Sequence, residues 1–188
     1  MLPSTSWCQT QDPLSSRFRV SSTAKIPNNS FESSSENHTP SRTRQGGDTF
    51  ETAFAIESIP FYDEGSTAGY LNDYGPYDNT TVSCNWIGYH NAENTGSGPD
   101  VVYSLNLDTE IDLRISTCGS SYDTGIGVFT MEMNAAGDMV PVLVAGNDDF
   151  CGDIGGWPYA SEVRCVLPSG DYFIVVSGWG SDEGDYIL

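Results

Sequence analysis

The 188-residue chain carries 26 Asp and Glu against seven Lys and Arg, a formal charge of −19, with 20 Gly, 10 Pro and 12% aromatic residues. So acidic a chain repels a phosphate backbone and an anionic bilayer alike, which speaks against nucleic-acid binding, and no run of about 18 apolar residues is present to insert into a membrane. The charged partners expected of it are cations, Ca2+ above all, or a basic segment of another protein.

Residues 1–45 are rich in Ser, Thr, Asn and Pro and poor in large apolar side chains. Such a stretch buries too little surface to offset its own chain entropy, so it reads as an extended N-terminal arm. Met1 to Val20 lacks the apolar core of a signal peptide. A secreted protein of this sequence is therefore expected to have lost a leader or to be a piece of a longer chain. The arm holds Arg17, Arg19, Lys25, Arg42 and Arg44 against Asp12, Glu32 and Glu36, whereas residues 46–188 hold only Arg114 and Arg164 against 23 acids. A basic arm beside an acidic body invites docking, within one chain or between copies. Arg17-Phe18-Arg19-Val20 alternates as an edge-pairing strand would. Sequons at Asn28, Asn37 and Asn79 mark exposed positions for N-glycans.

The body, residues 46–188, opens with the one helix candidate, Thr49–Glu57, where Asp48 and Glu51 suggest a capping-box-like start. Strands follow. Val101, Tyr103, Leu105 and Leu107 share one face of a first run, and Ile111, Leu113 and Ile115 share one face of Glu110–Ser116. This two-residue period marks half-buried strands. Further runs are Thr124–Glu132, Met139–Ala145, Ser161–Leu167, Asp171–Ser177 and Asp185–Leu188, separated by Gly-, Ser- and Pro-rich turns. Roughly eight short strands at such spacing predict an all-β fold, an antiparallel two-sheet β-sandwich.

The body contains Cys84, Cys118, Cys151 and Cys165, and the arm Cys8. With no C-x-x-C pair and two His in the chain, disulfides are a better account than zinc, and they imply an oxidising, extracellular compartment. Cys151 and Cys165 flank an acidic Gly-rich loop and are expected to pair, leaving Cys84 to Cys118 and Cys8 as the odd thiol. Nucleophilic catalysis lacks support. His38 and His90 are the only histidines, and neither G-x-S-x-G nor H-E-x-x-H occurs. Asp123-Thr124-Gly125 resembles an aspartic-peptidase motif, but it occurs once, without an apolar strand before it, and reads as a turn cap. No catalytic residue is assigned.

The series Pro99-Asp-Val-Val-Tyr-Ser-Leu105, Ile111-Asp-Leu-Arg-Ile-Ser-Thr-Cys-Gly-Ser-Ser-Tyr-Asp-Thr124, Ala145-Gly-Asn-Asp-Asp-Phe-Cys-Gly152, Gly170-Asp-Tyr-Phe-Ile-Val-Val-Ser-Gly178 and Gly184-Asp-Tyr-Ile-Leu188, opened by Gly46-Gly-Asp-Thr-Phe-Glu-Thr-Ala53, resembles the bacterial pre-peptidase C-terminal domain family over residues 46–188. The resemblance implies a jelly-roll-like sandwich of secreted proteins, non-catalytic, related to clostridial collagen-binding domains, some of which bind Ca2+. No cofactor is required by this reading. Asp148 and Asp149, Asp48 and Glu51, and Asn72 and Asp73 are the candidates for Ca2+, by their hard oxygen donors.

Two functions follow as expectations. One is a structural subunit of an extracellular fibril or surface layer, linked by the arm through Arg17, Phe18, Arg19 and Val20. The alternative is an accessory module that binds glycans or a collagen-like matrix through Trp86, Trp157 and Trp179.

Overall fold

A computed structural model describes residues 45–77, 95–151 and 159–188. Nine strands lie in these segments: β1 (Phe54–Ile56), β2 (Glu64–Ser66), β3 (Val101–Leu107), β4 (Ile111–Ser116), β5 (Thr124–Met133), β6 (Met139–Asn147), β7 (Glu162–Leu167), β8 (Gly170–Gly178) and β9 (Asp185–Ile187). β3 to β9 fall where the alternation placed them. The fold is all-β, as expected, and forms a sandwich of two layers. One layer is a five-stranded sheet in the order β1-β3-β8-β5-β6. The other is built from two ribbons, β4-β7 and β2-β9.

Two local expectations are corrected. The stretch from Thr49 does not form an α-helix: Phe50–Thr52 is a single 3-10 turn, and Phe54 already begins β1. Its box is closed by Thr49 and Thr52, not by Asp48 and Glu51, with the Thr49 N–H donating to Thr52 Oγ1 at 2.9 Å. Nor is the sheet wholly antiparallel. β1 runs parallel to β3, Phe54 opposite Tyr103 and Ile56 opposite Leu105. Three-residue strands such as β1 and β2 are too short to show a period, so alternation could not reveal them.

The core lies between the layers. Val101, Tyr103, Leu105, Ile126, Val128, Ile174 and Val176 of the large sheet meet Leu113, Ile115, Val163 and Leu167 of the β4-β7 ribbon. The large sheet is also covered on its outer face, where Val102, Phe129, Leu143 and Val175 pack under Phe50, Tyr74 and Tyr77. Double burial explains why Val101-Val102-Tyr103 is apolar without alternation. Tyr103 carries a polar atom into this core. Its hydroxyl donates to Asp63 Oδ2 at 3.0 Å and lies 2.5 Å from the Tyr186 hydroxyl. Burial, the Tyr186 ring and Asp63 all push its phenol far above the ordinary range, so it stays a donor.

Candidate functional site

The β5-β6 hairpin brings the start of one strand to the end of the other, Ile126 opposite Asn147. Asp123 immediately precedes β5, and Asp148 and Asp149 immediately follow β6, so three carboxylates collect at one end of the sandwich. One oxygen from each lies within 4.8 Å of the others. Asp148 is buried, at 1% exposure; Asp123 and Asp149 are half-buried. Asn147 fixes the turn. Its Nδ2 donates to the Glu162 carbonyl at 2.5 Å and its Oδ1 accepts the Asp148 N–H at 2.9 Å. Asp149 then takes the left-handed conformation at φ 55°, which a short Asp tolerates. Thr95 donates from Oγ1 to Asp148 Oδ2 at 2.7 Å. The Oδ1 atoms of Asp148 and Asp123 are buried without a hydrogen-bond partner.

All three carboxyls are shifted upward, with burial the main cause. Burial pushes Asp123 up to about 7, and the charges of Asp148, Asp149 and Asp182 add to it. Burial also raises Asp148 to about 6, with the Thr95 bond opposing and Asp149 adding repulsion. Asp149 is raised by burial alone. A disulfide braces the group. Cys118, between β4 and Asp123, is bonded to Cys151, two residues beyond Asp149. Hard oxygen donors in this number suit cations such as Ca2+ and Mg2+.

This bond corrects both expected pairings, Cys151 with Cys165 and Cys84 with Cys118. Cys165 lies in the middle of β7 opposite Leu113, with its side chain in the core. The Cys151 N–H instead donates to Ala160, before the strand begins. Five residues of strand put Cys165 about 16 Å further along, beyond the reach of a disulfide. Cys84 and Cys8 lie outside the described residues.

The other candidates for a cation do not join the group. Asp48, Glu51, Asn72 and Asp73 are exposed. Asn72 braces a turn, its Oδ1 accepting the Gly75 N–H at 3.0 Å and its Nδ2 donating to Ser97 O at 2.8 Å. Asp73 instead offers its backbone N–H, with that of Tyr74, to Oδ2 of the fully buried Asp100, at 3.0 and 3.1 Å. Burial pushes Asp100 up to about 6 against these two bonds, and the Asp73 and Asp48 charges add to the rise. A carboxyl raised in the folded state holds its proton longer than the unfolded chain does, so stability falls as pH rises from about 4 through about 6. Asp100→Asn should flatten this part of the profile by up to about one proton, read from denaturant midpoints across that window. An unchanged slope would show that Asp100 ionises normally.

In sequence Asp123 reads as a turn cap, and it joins the acidic group only in the folded chain. Its signal was position: one strand's first residue and another's last meet across a hairpin. Of the three aromatic candidates, Trp179 is 40% exposed and its backbone N–H donates to the Asp123 carbonyl at 3.0 Å. Trp86 and Trp157 lie outside the described residues, as do Arg17, Phe18, Arg19, Val20, Asn28, Asn37 and Asn79.

No family model, curated protein or solved structure matches the chain. No described helix is long and apolar enough to cross a membrane.

A second feature lies in the split layer. Among the described strands β4 pairs with β7 alone and β9 with β2 alone. One end of the gap is stitched by Ser120 and Ser121. The Ser121 N–H donates to Asp185 O at 2.9 Å, and the Asp185 and Ile187 N–H groups donate to Ser121 Oγ and Ser120 Oγ, both at 3.1 Å. Beyond these contacts a cleft of about 280 Å3 opens. Leu105 and Ile174 of the large sheet floor it, and Leu113 and Ile115 of β4 face Ile187 and Leu188 across it.

Proposed function

We propose that this chain is a non-catalytic structural subunit of an extracellular assembly, in which an extended segment of a neighbouring copy adds as a strand to β4. The carrying observation is the edge of β4, without a strand partner among those described, beside an apolar cleft. An edge of this kind is a template for strand addition, with alternate side chains entering the cleft. The two edges of the large sheet, β1 and β6, serve less well. β1 is three residues long, and β6 carries Pro141 in its outer half. The arm supplies a fitting segment. In Arg17-Phe18-Arg19-Val20, Phe18 and Val20 would enter the cleft while Arg17 and Arg19 meet an acidic surface that includes Glu110 and Asp112.

The disulfide accords with an oxidising compartment, and the likeness to pre-peptidase C-terminal domains, with glycans at Asn28, Asn37 and Asn79, fits the same setting. A head-to-tail contact of this type does not close on itself, so it propagates into a fibril. Deleting residues 1–45, or replacing Phe18 and Val20 together by Asp, should convert assembled material into folded monomers on a sizing column. Assembly that survives both changes would refute arm exchange.

A further inference from the structure

We propose that Asp123, Asp148 and Asp149 form a binding site for one hard divalent cation, with Ca2+ the best fit. The spacing is right for a shared ion. Oxygens 2.3–2.6 Å from a Ca2+ lie about 5 Å apart at most, and the three carboxylate oxygens here lie within 4.8 Å of one another. Crowded acids alone prove nothing; the state of the buried atoms is the independent observation. Asp148 is 1% exposed, Thr95 occupies only its Oδ2, and Oδ1 has no partner. Asp123 Oδ1 is buried and unpartnered as well. Buried polar atoms are nearly always bonded, and a buried carboxylate needs a counter-charge.

The protein provides none within reach among the described residues. Their only basic side chains are Arg114 and Arg164, and both are bonded to Glu162. The donor set selects the ion. It consists of oxygens, with no His or Cys in the group, which disfavours zinc and copper. Three carboxylates on two loops form an adaptable cage suited to Ca2+, whereas Mg2+ demands strict octahedral geometry and keeps its waters. The Cys118–Cys151 bond brackets the site and limits how far the two loops can part. Such a site on an extracellular module would bind in the range of about 10⁻⁴–10⁻³ M.

The test uses the full chain stripped with chelator and titrated with CaCl2, read by thermal unfolding and by sensitised Tb3+ luminescence. Unfolding should shift upward with Ca2+, saturably, and far less with Mg2+ at equal concentration. Asp123→Asn with Asp148→Asn should weaken Ca2+ binding at least tenfold while the chelator-treated variant melts no lower than the chelator-treated native chain. Asp149→Asn, at a half-buried position, gives the same reading if the buried pair fails to fold. No saturable Ca2+ effect up to about 10 mM would overturn the proposal. So would an unchanged affinity in the variants, which would place any cation elsewhere. Because the readout is cation binding by dispersed protein, it stands or falls apart from the assembly reading.

Discussion

Replacing Cys118 and Cys151 together by Ser should cost about 4 kcal/mol of stability and lower the melting temperature by roughly 10 °C. The bond closes a loop of 33 residues, and the loss is mainly entropy returned to the unfolded chain. That loop holds β5 and β6, the hairpin that forms one side of the large sheet. Cys151 is buried, at 2% exposure, so its serine also faces desolvation in the folded state. Denaturant titration of the native chain and the double variant measures the difference. Peptide mapping under non-reducing conditions should recover a Cys118–Cys151 linked fragment. A Cys151–Cys165 fragment, or equal stability of the two proteins, would overturn the pairing.

The strands were legible wherever one face is buried and the run is long. Ile111, Leu113 and Ile115 announce β4 because their alternates, Asp112 and Arg114, are exposed. β3 was legible by the same period, through Val101, Tyr103, Leu105 and Leu107. Only its start, Val101-Val102-Tyr103, is continuously apolar, and the second cover of Phe50, Tyr74 and Tyr77 that requires this is supplied by segments with no strand signature. The cysteine pairing was not legible, because it depends on how far along β7 each residue stands, and spacing in sequence does not measure that. The acidic centre was half legible. Asn147-Asp148-Asp149 stood out as a cluster, but its third member sits 25 residues earlier and joins only through the hairpin register. Asp48, Glu51, Asn72 and Asp73 looked equivalent in composition and differ only in burial. Burial of a loop carboxylate is decided by what packs over it, and local sequence carries no trace of that.

The cations of the body lead to the second large effect. Arg114 and Arg164 lie directly opposite each other on β4 and β7, where like charges repel. Glu162 resolves the conflict by bonding to both, at 2.5 Å to Arg114 Nη2 and 2.7 Å to Arg164 Nε. Its side chain is 1% exposed, while those of the two Arg are 58% and 61% exposed. Removing either Arg alone should therefore cost under about 1 kcal/mol, since the exposed partner is screened and one cation remains. Removing both takes away the cations and the side chains that cover the carboxylate, and Arg114→Ala with Arg164→Ala should cost about 2 kcal/mol at pH 7, more than the single changes combined. The pH dependence gives an independent sign. Burial alone would raise the Glu162 carboxyl, but its bonds to Arg114 and Arg164 win and hold it below the usual range. A lowered carboxyl contributes stability above the unfolded value near 4.5 and loses it as pH falls further. Without the two Arg the bonds that hold the carboxyl low are gone, so this contribution disappears and the double variant gains on acidification relative to the native chain. Urea midpoints at pH 7 and pH 4 for the four proteins of the cycle measure both effects. Strict additivity at pH 7, or a parallel pH response of native and double variant, would mean that Glu162 does not depend on its two cations.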